Sequence, residues 1–361
     1  MRILFSACPL SGHVTTILPL AVAAVDGGHE VVIATGSGVT ADASRLGVPT
    51  WPVGVPAATL PRGGTAAERA AFFASTALRR TTDLLPKAEA WRPDLIVSDT
   101  AEVAGAVAAA ATGARHVVHG LGIMPPMVLW NAYALHLDGL LARWGLPTAV
   151  DAARDVTYLD VCPPALRRSG ERIWQNTLDL RPTTVSRDTP PPSLTSLPYS
   201  TTVLARPTAR ADAAAILSAV RSQPVNLLLQ AESSHFGPQP ANVLIAPHFP
   251  DAAVLPRCAA LISTGGPGVI LQALAYGLPQ LILSQETTDP AGDITHAGAA
   301  LTINTSTPAA TEQAVQQHLP RLLEDPDFAS AAAWIQVEIA AMPTPEAMVR
   351  TLTTEGIPAL R

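Results

Sequence analysis

Two segments of this chain share one sequence pattern, and that pattern restricts the fold more than any other feature. The apolar run at residues 259–262 enters Ser263-Thr264-Gly265-Gly266-Pro267-Gly268, a turn almost free of side-chain bulk. Val269, Ile270, Leu271, Leu274 and Ala275 then fall on helical spacing. The N-terminus repeats the pattern, with residues 2–7 reading as a strand and 16–27 as a helix. Nearly continuous apolar runs belong to strands covered on both faces, as in parallel sheets. A turn of small residues lets backbone approach a ligand, and the helix start behind it offers free N–H groups to an anion. The chain therefore reads as α/β, with a phosphate-binding arrangement in its second half.

At 361 residues the chain exceeds one ordinary core, so two α/β domains are expected. A formal net charge of −6, with no basic stripe, argues against a nucleic-acid partner. Cys8, Cys162 and Cys258 are scattered and show no CxxC spacing, which argues against zinc and against a disulfide framework. The apolar N-terminus is interrupted by Pro9, Gly12, His13 and Pro19. No apolar span reaches about 18 residues and no cleavage pattern is present, so a cytoplasmic enzyme without membrane insertion is expected.

Strand–helix alternation continues along the first half. Residues 30–35, 95–97, 115–119 and 156–162 read as strands; 66–85, 87–91, 102–112 and 126–144 read as helices, with Pro86 and Pro93 as punctuation. Periodicity fades over 169–198, where Pro, Ser, Thr and Arg dominate, and an interdomain linker is expected there. Strands at 203–205, 225–230, 243–246 and 281–283 follow, with helices at 211–221 and 251–256. Residues 311–354 are almost wholly helical.

Four segments carry a family resemblance: ILFSACPLSGHVTTILPLAVAAVDGGHEVVIAT at the N-terminus, HVVHGLG at 116–122, ALISTGGPGVILQALAYGLPQLIL, and EIAAMPTPEAMVRTL near the C-terminus. Together they resemble the nucleotide-sugar-dependent GT-B glycosyltransferases of antibiotic and natural-product biosynthesis. The resemblance implies two Rossmann-like, doubly wound domains facing across a cleft. An acceptor-binding domain would span 1–168, a linker 169–198 and a nucleotide-sugar-binding domain 199–340. Residues 341–361 would form a helix crossing back to the first domain. The implied partners are a small-molecule aglycone and a dTDP- or UDP-sugar, a co-substrate rather than a cofactor, handled without a metal. A homodimer stays open.

Inverting transfer needs a base for the acceptor hydroxyl and stabilisation of the departing diphosphate. His13 follows the first strand, where open α/β sheets place their sites, and an imidazole titrates at about 6.5. Asp99 also follows a strand end and matches the family position that orients this histidine. A packed or capping role remains the alternative for each. Gly12, His119, Met124, Met127 and Trp130 are expected to line the acceptor site, with ordinary packing the alternative for His119 and for residues 124–130. His235, His248, His296 and His318 show no metal-ligand spacing with one another.

On the donor side the resemblance assigns Ser263, Thr264, Gly265, Gly266, Gly268, Gln285 and Asp289. Ser263 and Thr264 stand where the family carries a histidine pair, so a hydroxyl replaces a positive charge at the diphosphate. Ala205-Arg206-Pro207-Thr208 replaces a glycine-bearing turn, and Arg206 is expected to restore the missing charge. The expected activity is inverting transfer of a deoxysugar to an apolar acceptor. A degenerate homologue with impaired donor binding, acting as a partner or ligand-binding protein, is the alternative. A GT-B epimerase is a third reading, which the scarcity of charged residues opposes.

Overall fold

The structure is a computed structural model that describes every residue except 58–65, 124–126, 168–172, 186–193, 195, 285–290, 306 and 355–361. The chain divides into two compact units. One comprises Met1–Cys162, Arg168–Val185 and Met342–Arg361; the other comprises Pro163–Arg167 and Ser186–Ala341.

Among the described residues the first unit holds seven strands: β1 (Arg2–Ser6), β2 (Glu30–Thr35), β3 (Thr50–Pro52), β4 (Leu95–Asp99), β5 (Arg115–His119), β6 (Thr157–Asp160) and β7 (Asn176–Asp179). They run parallel in the order β3-β2-β1-β4-β5-β6-β7. The order reverses between β1 and β4, and open α/β sheets form their binding crevice at such a reversal. The helices here are α1 (Ser11–Asp26), α2 (Ala41–Arg45), α3 (Ala66–Trp91), α4 (Val103–Thr112), α5 (Met127–Leu141) and α6 (Ala149–Asp155). Burial of β1 and β4 on both faces explains their unbroken apolar runs.

Helix α4 lies very close to the two central strands. A Cβ at Gly105 would sit 2.7 Å from that of Ser98 and 3.3 Å from that of Ser6, so no larger residue fits without displacement. Helix α3 continues through Pro86 rather than breaking there.

The second unit carries β8 (Thr202–Arg206), β9 (Asn226–Gln230), β10 (Val243–Ala246), β11 (Ala260–Ser263), β12 (Gln280–Ser284) and β13 (Ala300–Asn304). They are parallel in the order β10-β9-β8-β11-β12-β13, the arrangement of the first sheet with one strand fewer. Its helices are α7 (Arg210–Val220), α8 (Asp251–Val254), α9 (Pro267–Leu274), α10 (Ala291–His296), α11 (Pro308–Glu324) and α12 (Pro326–Ala341). Its core gathers Val203, Leu227, Leu229, Ile262, Leu281 and Leu283 beneath α7 and α11.

The C-terminal helix α13 (Pro345–Thr354) belongs to the first unit and packs on α1, burying Met348, Val349 and Leu352. The span read as a linker needs correction: residues 176–179 within it form β7, paired to β6 from Thr157↔Asn176 to Asp160↔Asp179. This strand reads Asn-Thr-Leu-Asp on a half-exposed edge, so no apolar run announces it.

Candidate active site

The first reversal point brings His13 and Asp99 together. Strands β1 and β4 are neighbours in register, with Ser6 opposite Ser98. After β1 the chain turns through Cys8–Leu10 and enters α1 at Ser11, placing His13 in the first helical turn rather than before the helix. Asp99 ends β4 and is 1% exposed. His13 Nδ1 lies 3.0 Å from Asp99 Oδ2. That oxygen also accepts the Cys8 N–H at 2.7 Å, and Oδ1 accepts the Ala101 N–H at 2.7 Å.

Burial alone would raise the Asp99 pKa. The His13 charge, its hydrogen bond and the two backbone donors outweigh burial and hold the carboxyl below its ordinary range. An ionised Asp99 accepts a proton-bearing Nδ1 and leaves the lone pair on His13 Nε2. The His13 side chain keeps 12% of its surface exposed, and its ring lies 5.5 Å from that of Phe73. This is the geometry of a general base oriented by a carboxylate.

Asp99 is not the cap of the following helix. Glu102 takes that place, accepting the Ala104 N–H at 2.7 Å. Behind Glu102 lies the fully buried Arg80 of α3, its Nε 2.6 Å from Glu102 Oε2. Neither residue was expected at the site from sequence. The available signal was a charge on an inward stripe: Phe73, Ala77, Leu84 and Ala88 are buried on the same helix at helical spacing with Arg80.

Cys8, His13 and Asp99 offer ligand atoms within 4.8 Å of one another. As a metal site the set fits poorly. Burial pushes the Cys8 thiol well above its usual range, and metals bind the thiolate.

Other expected acceptor residues stand elsewhere. His119 is 1% exposed, its Nδ1 lies 2.6 Å from the Gly120 carbonyl oxygen, and burial lowers its pKa to about 4. It is a packed neutral histidine, the second of the two roles open to it, and not an exposed acceptor contact. His116 is likewise buried against Ser98 Oγ at 2.8 Å, with its pKa lowered to about 4. Trp130 is a core residue, its ring 4.8 Å from that of Trp174. Gly12 is exposed beside His13. Met124 and the side chain of Met127 lie outside the described residues.

In the second unit, β8 and β11 meet at the equivalent reversal, with Ser263 opposite Arg206. Ser263 is buried and its Oγ accepts the Gly265 N–H at 3.2 Å, so it shapes the loop. Thr264 is half-exposed. Gly265 adopts φ +83°, a left-handed conformation in which any side chain is strained. Gly266 precedes α9, whose first residue is Pro267 and second Gly268. Proline there forfeits an N–H that has no helical partner in any case.

Arg206 does not restore the missing charge. Its guanidinium is ion-paired with Asp251 and lies 3.3 Å from Gln272 Oε1, with only 11% of the side chain exposed. Its charge is neutralised within the domain, which corrects its assignment to the donor. Gln285 and Asp289 lie outside the described residues. Among the described residues, no helix is long and apolar enough to cross a membrane.

Comparison with known proteins gives this arrangement its class. The erythromycin biosynthesis protein CIII-like domains match residues 63–173 (N-terminal domain) and 208–354 (C-terminal domain). An L-demethylnoviosyl transferase of Streptomyces niveus is 30% identical over 321 residues, 78% of this chain and 79% of the relative. The glycosyltransferase VinC, solved in complex with dTDP, shares 26% identity at a TM-score of 0.78, covering 98% of each chain. Spinosyn rhamnosyltransferase SpnG shares 25% identity at a TM-score of 0.82, covering 98% of this chain and all of that one. The two parallel-sheet domains are those of the GT-B fold, and the family models and relatives make the protein a glycosyltransferase of natural-product biosynthesis. The chain belongs to the erythromycin biosynthesis protein CIII-like family.

Proposed function

We propose that the protein transfers a deoxysugar from a dTDP-sugar, with UDP as the other candidate carrier, to a hydroxyl of an apolar aglycone with inversion at the anomeric carbon. The observation that carries this reading is the His13–Asp99 pair at the first reversal point. An acceptor hydroxyl held against His13 Nε2 gives its proton to the imidazole as its oxygen bonds to the anomeric carbon. The bond from that carbon to the diphosphate oxygen breaks, and the nucleoside diphosphate departs with the electron pair. Asp99 stabilises the imidazolium without taking the proton, as an oriented carboxylate does in comparable catalytic pairs.

The leaving diphosphate is assigned to the loop 263–268. The Gly265-Gly266 backbone and the start of α9 supply N–H groups there, and Thr264 supplies a neutral hydroxyl. The dTDP bound to VinC supports the choice of carrier. No resident cofactor is needed in this scheme, because the sugar arrives already activated.

Isothermal titration with dTDP and UDP, each with EDTA and then with magnesium, tests the donor assignment. Metal-independent binding selective for dTDP is expected. A folded sample that binds neither nucleotide would support a degenerate homologue. Inversion is read from the anomeric proton coupling of the product, and a retained configuration would refute the single-displacement scheme.

A further inference from the structure

The Asp99 carboxylate receives its two backbone hydrogen bonds from different chain segments: Cys8, after β1, and Ala101, after β4. The Arg80 guanidinium touches both segments. Its Nη2 is 3.5 Å from Cys8 Sγ, and its Nε is 2.6 Å from the carboxylate of Glu102, the residue next to Ala101. Glu102 is fixed in turn by its own N–H to the Asp99 carbonyl at 3.0 Å and by its cap on Ala104. Arg80 Nη1 donates to Thr76 Oγ1 at 2.6 Å, which holds the guanidinium to its own helix.

From these contacts we infer that Arg80, acting with Glu102, is a positioning residue for the His13–Asp99 pair. Helix α3 delivers one rigid fork that clamps the two backbone segments aiming Asp99 at His13. The inference rests on the proposed role of that pair in transfer.

Stability alone is a weak reason for such a pair. Arg80 and Glu102 are 1% and 0% exposed, and apolar residues of similar volume often replace buried ion pairs without loss. What apolar residues lack is direction. A guanidinium is a fixed planar fork, so its hydrogen bond to the Cys8 side chain and its ion pair with the Glu102 side chain tie two distant segments together at once. Burial works against the Arg80 charge, while Cys8, Glu102 and Asp99 together hold its pKa up. The ionisable groups facing Asp99 are Cys8, His13, Arg80, Glu102 and His119.

The test is proton NMR of the full-length protein, following the low-field Nδ1 proton of His13 bonded to Asp99. The resonance is assigned by its disappearance in His13→Ala. Two variants are compared: Arg80→Met combined with Glu102→Leu, which keeps an apolar fill, and Arg80→Lys, which keeps the charge but loses the fork. The expected result is a folded protein with unchanged dTDP affinity in which the resonance broadens or disappears.

A sharp resonance at the wild-type position in a folded variant would overturn the inference. Should the double variant not fold, Arg80→Lys decides alone. Because the readout is the bond to Asp99 and not turnover, it remains decisive even if His13→Ala proves fully active. That outcome would remove the proposed catalytic role while leaving the clamp to be judged separately.

Discussion

Asp99 Oδ2 lies 3.0 Å from His13 Nδ1 although 86 positions separate the two residues in sequence. The contact exists because β1 and β4 are neighbours in the sheet, so the turns that follow them emerge side by side. The His13 side chain keeps 12% of its surface exposed there.

Replacing His13 with Ala is expected to lower kcat by about 10²–10⁴-fold, the range for removing a positioned base. dTDP affinity should be unchanged, because the proposed scheme assigns His13 to the acceptor hydroxyl and the diphosphate to the loop 263–268. Steady-state kinetics with parallel calorimetry checks both parts, and undiminished turnover would remove His13 from the mechanism.

Asp99 contributes to acid stability with a definite sign. Its folded pKa lies below the unfolded value of about 3.9. Its contribution is therefore complete above about pH 3.9 and is lost as pH falls through the lower folded value. The urea midpoint should fall more steeply with pH across that range in wild type than in Asp99→Asn. The same variant should also lose transfer activity near neutrality, since a neutral amide cannot stabilise the imidazolium.

His116 and His119 produce a second pH effect. Both are held near pKa 4 by burial, against about 6.5 when unfolded. Between those values the unfolded chain binds protons that the folded chain refuses, so stability falls as pH drops from about 6.5 to 4. The loss is on the order of 3 kcal/mol per histidine at its limit. Denaturation midpoints at pH 7 and pH 4.5 measure it, and equal midpoints would contradict the buried neutral assignment.

The donor loop yields a prediction of gained function. Thr264→His introduces a group that can carry positive charge beside the proposed diphosphate site. Charge-assisted hydrogen bonds are about twice as strong as neutral ones, so dTDP binding should tighten by about tenfold below pH 6.5. Gly265→Ala should act oppositely, because φ +83° costs a non-glycine residue about 1–3 kcal/mol. Calorimetry on both variants tests the assignment, and two neutral results would move the diphosphate away from this loop.

Much of the fold was legible because its signals are local. Apolar runs marked β1, β2, β4, β5, β8, β9 and β11, and helical spacing marked α3, α4 and α11. The missed strands β3 and β7 lie at the edges of the first sheet, β3 only three residues long and β7 largely polar. Strand β13 also lies at an edge, that of the second sheet. Pro86 was read as punctuation, yet α3 runs through it.

The sequence by itself determined the class of fold, the two strand–turn–helix units and the candidacy of His13, Asp99 and the loop 263–268. The fold class and the strand–turn–helix units depend on residues close together in the chain, where periodicity and backbone preference act directly, and the candidate residues on a local match to a family pattern. Only the tertiary structure decided which candidates meet. It joined His13 to Asp99, placed Arg80 and Glu102 behind them, buried His119 and Trp130, and paired Arg206 with Asp251. Those outcomes follow from strand order and helix packing, which bring together residues tens of positions apart and determine whether a charge finds a partner.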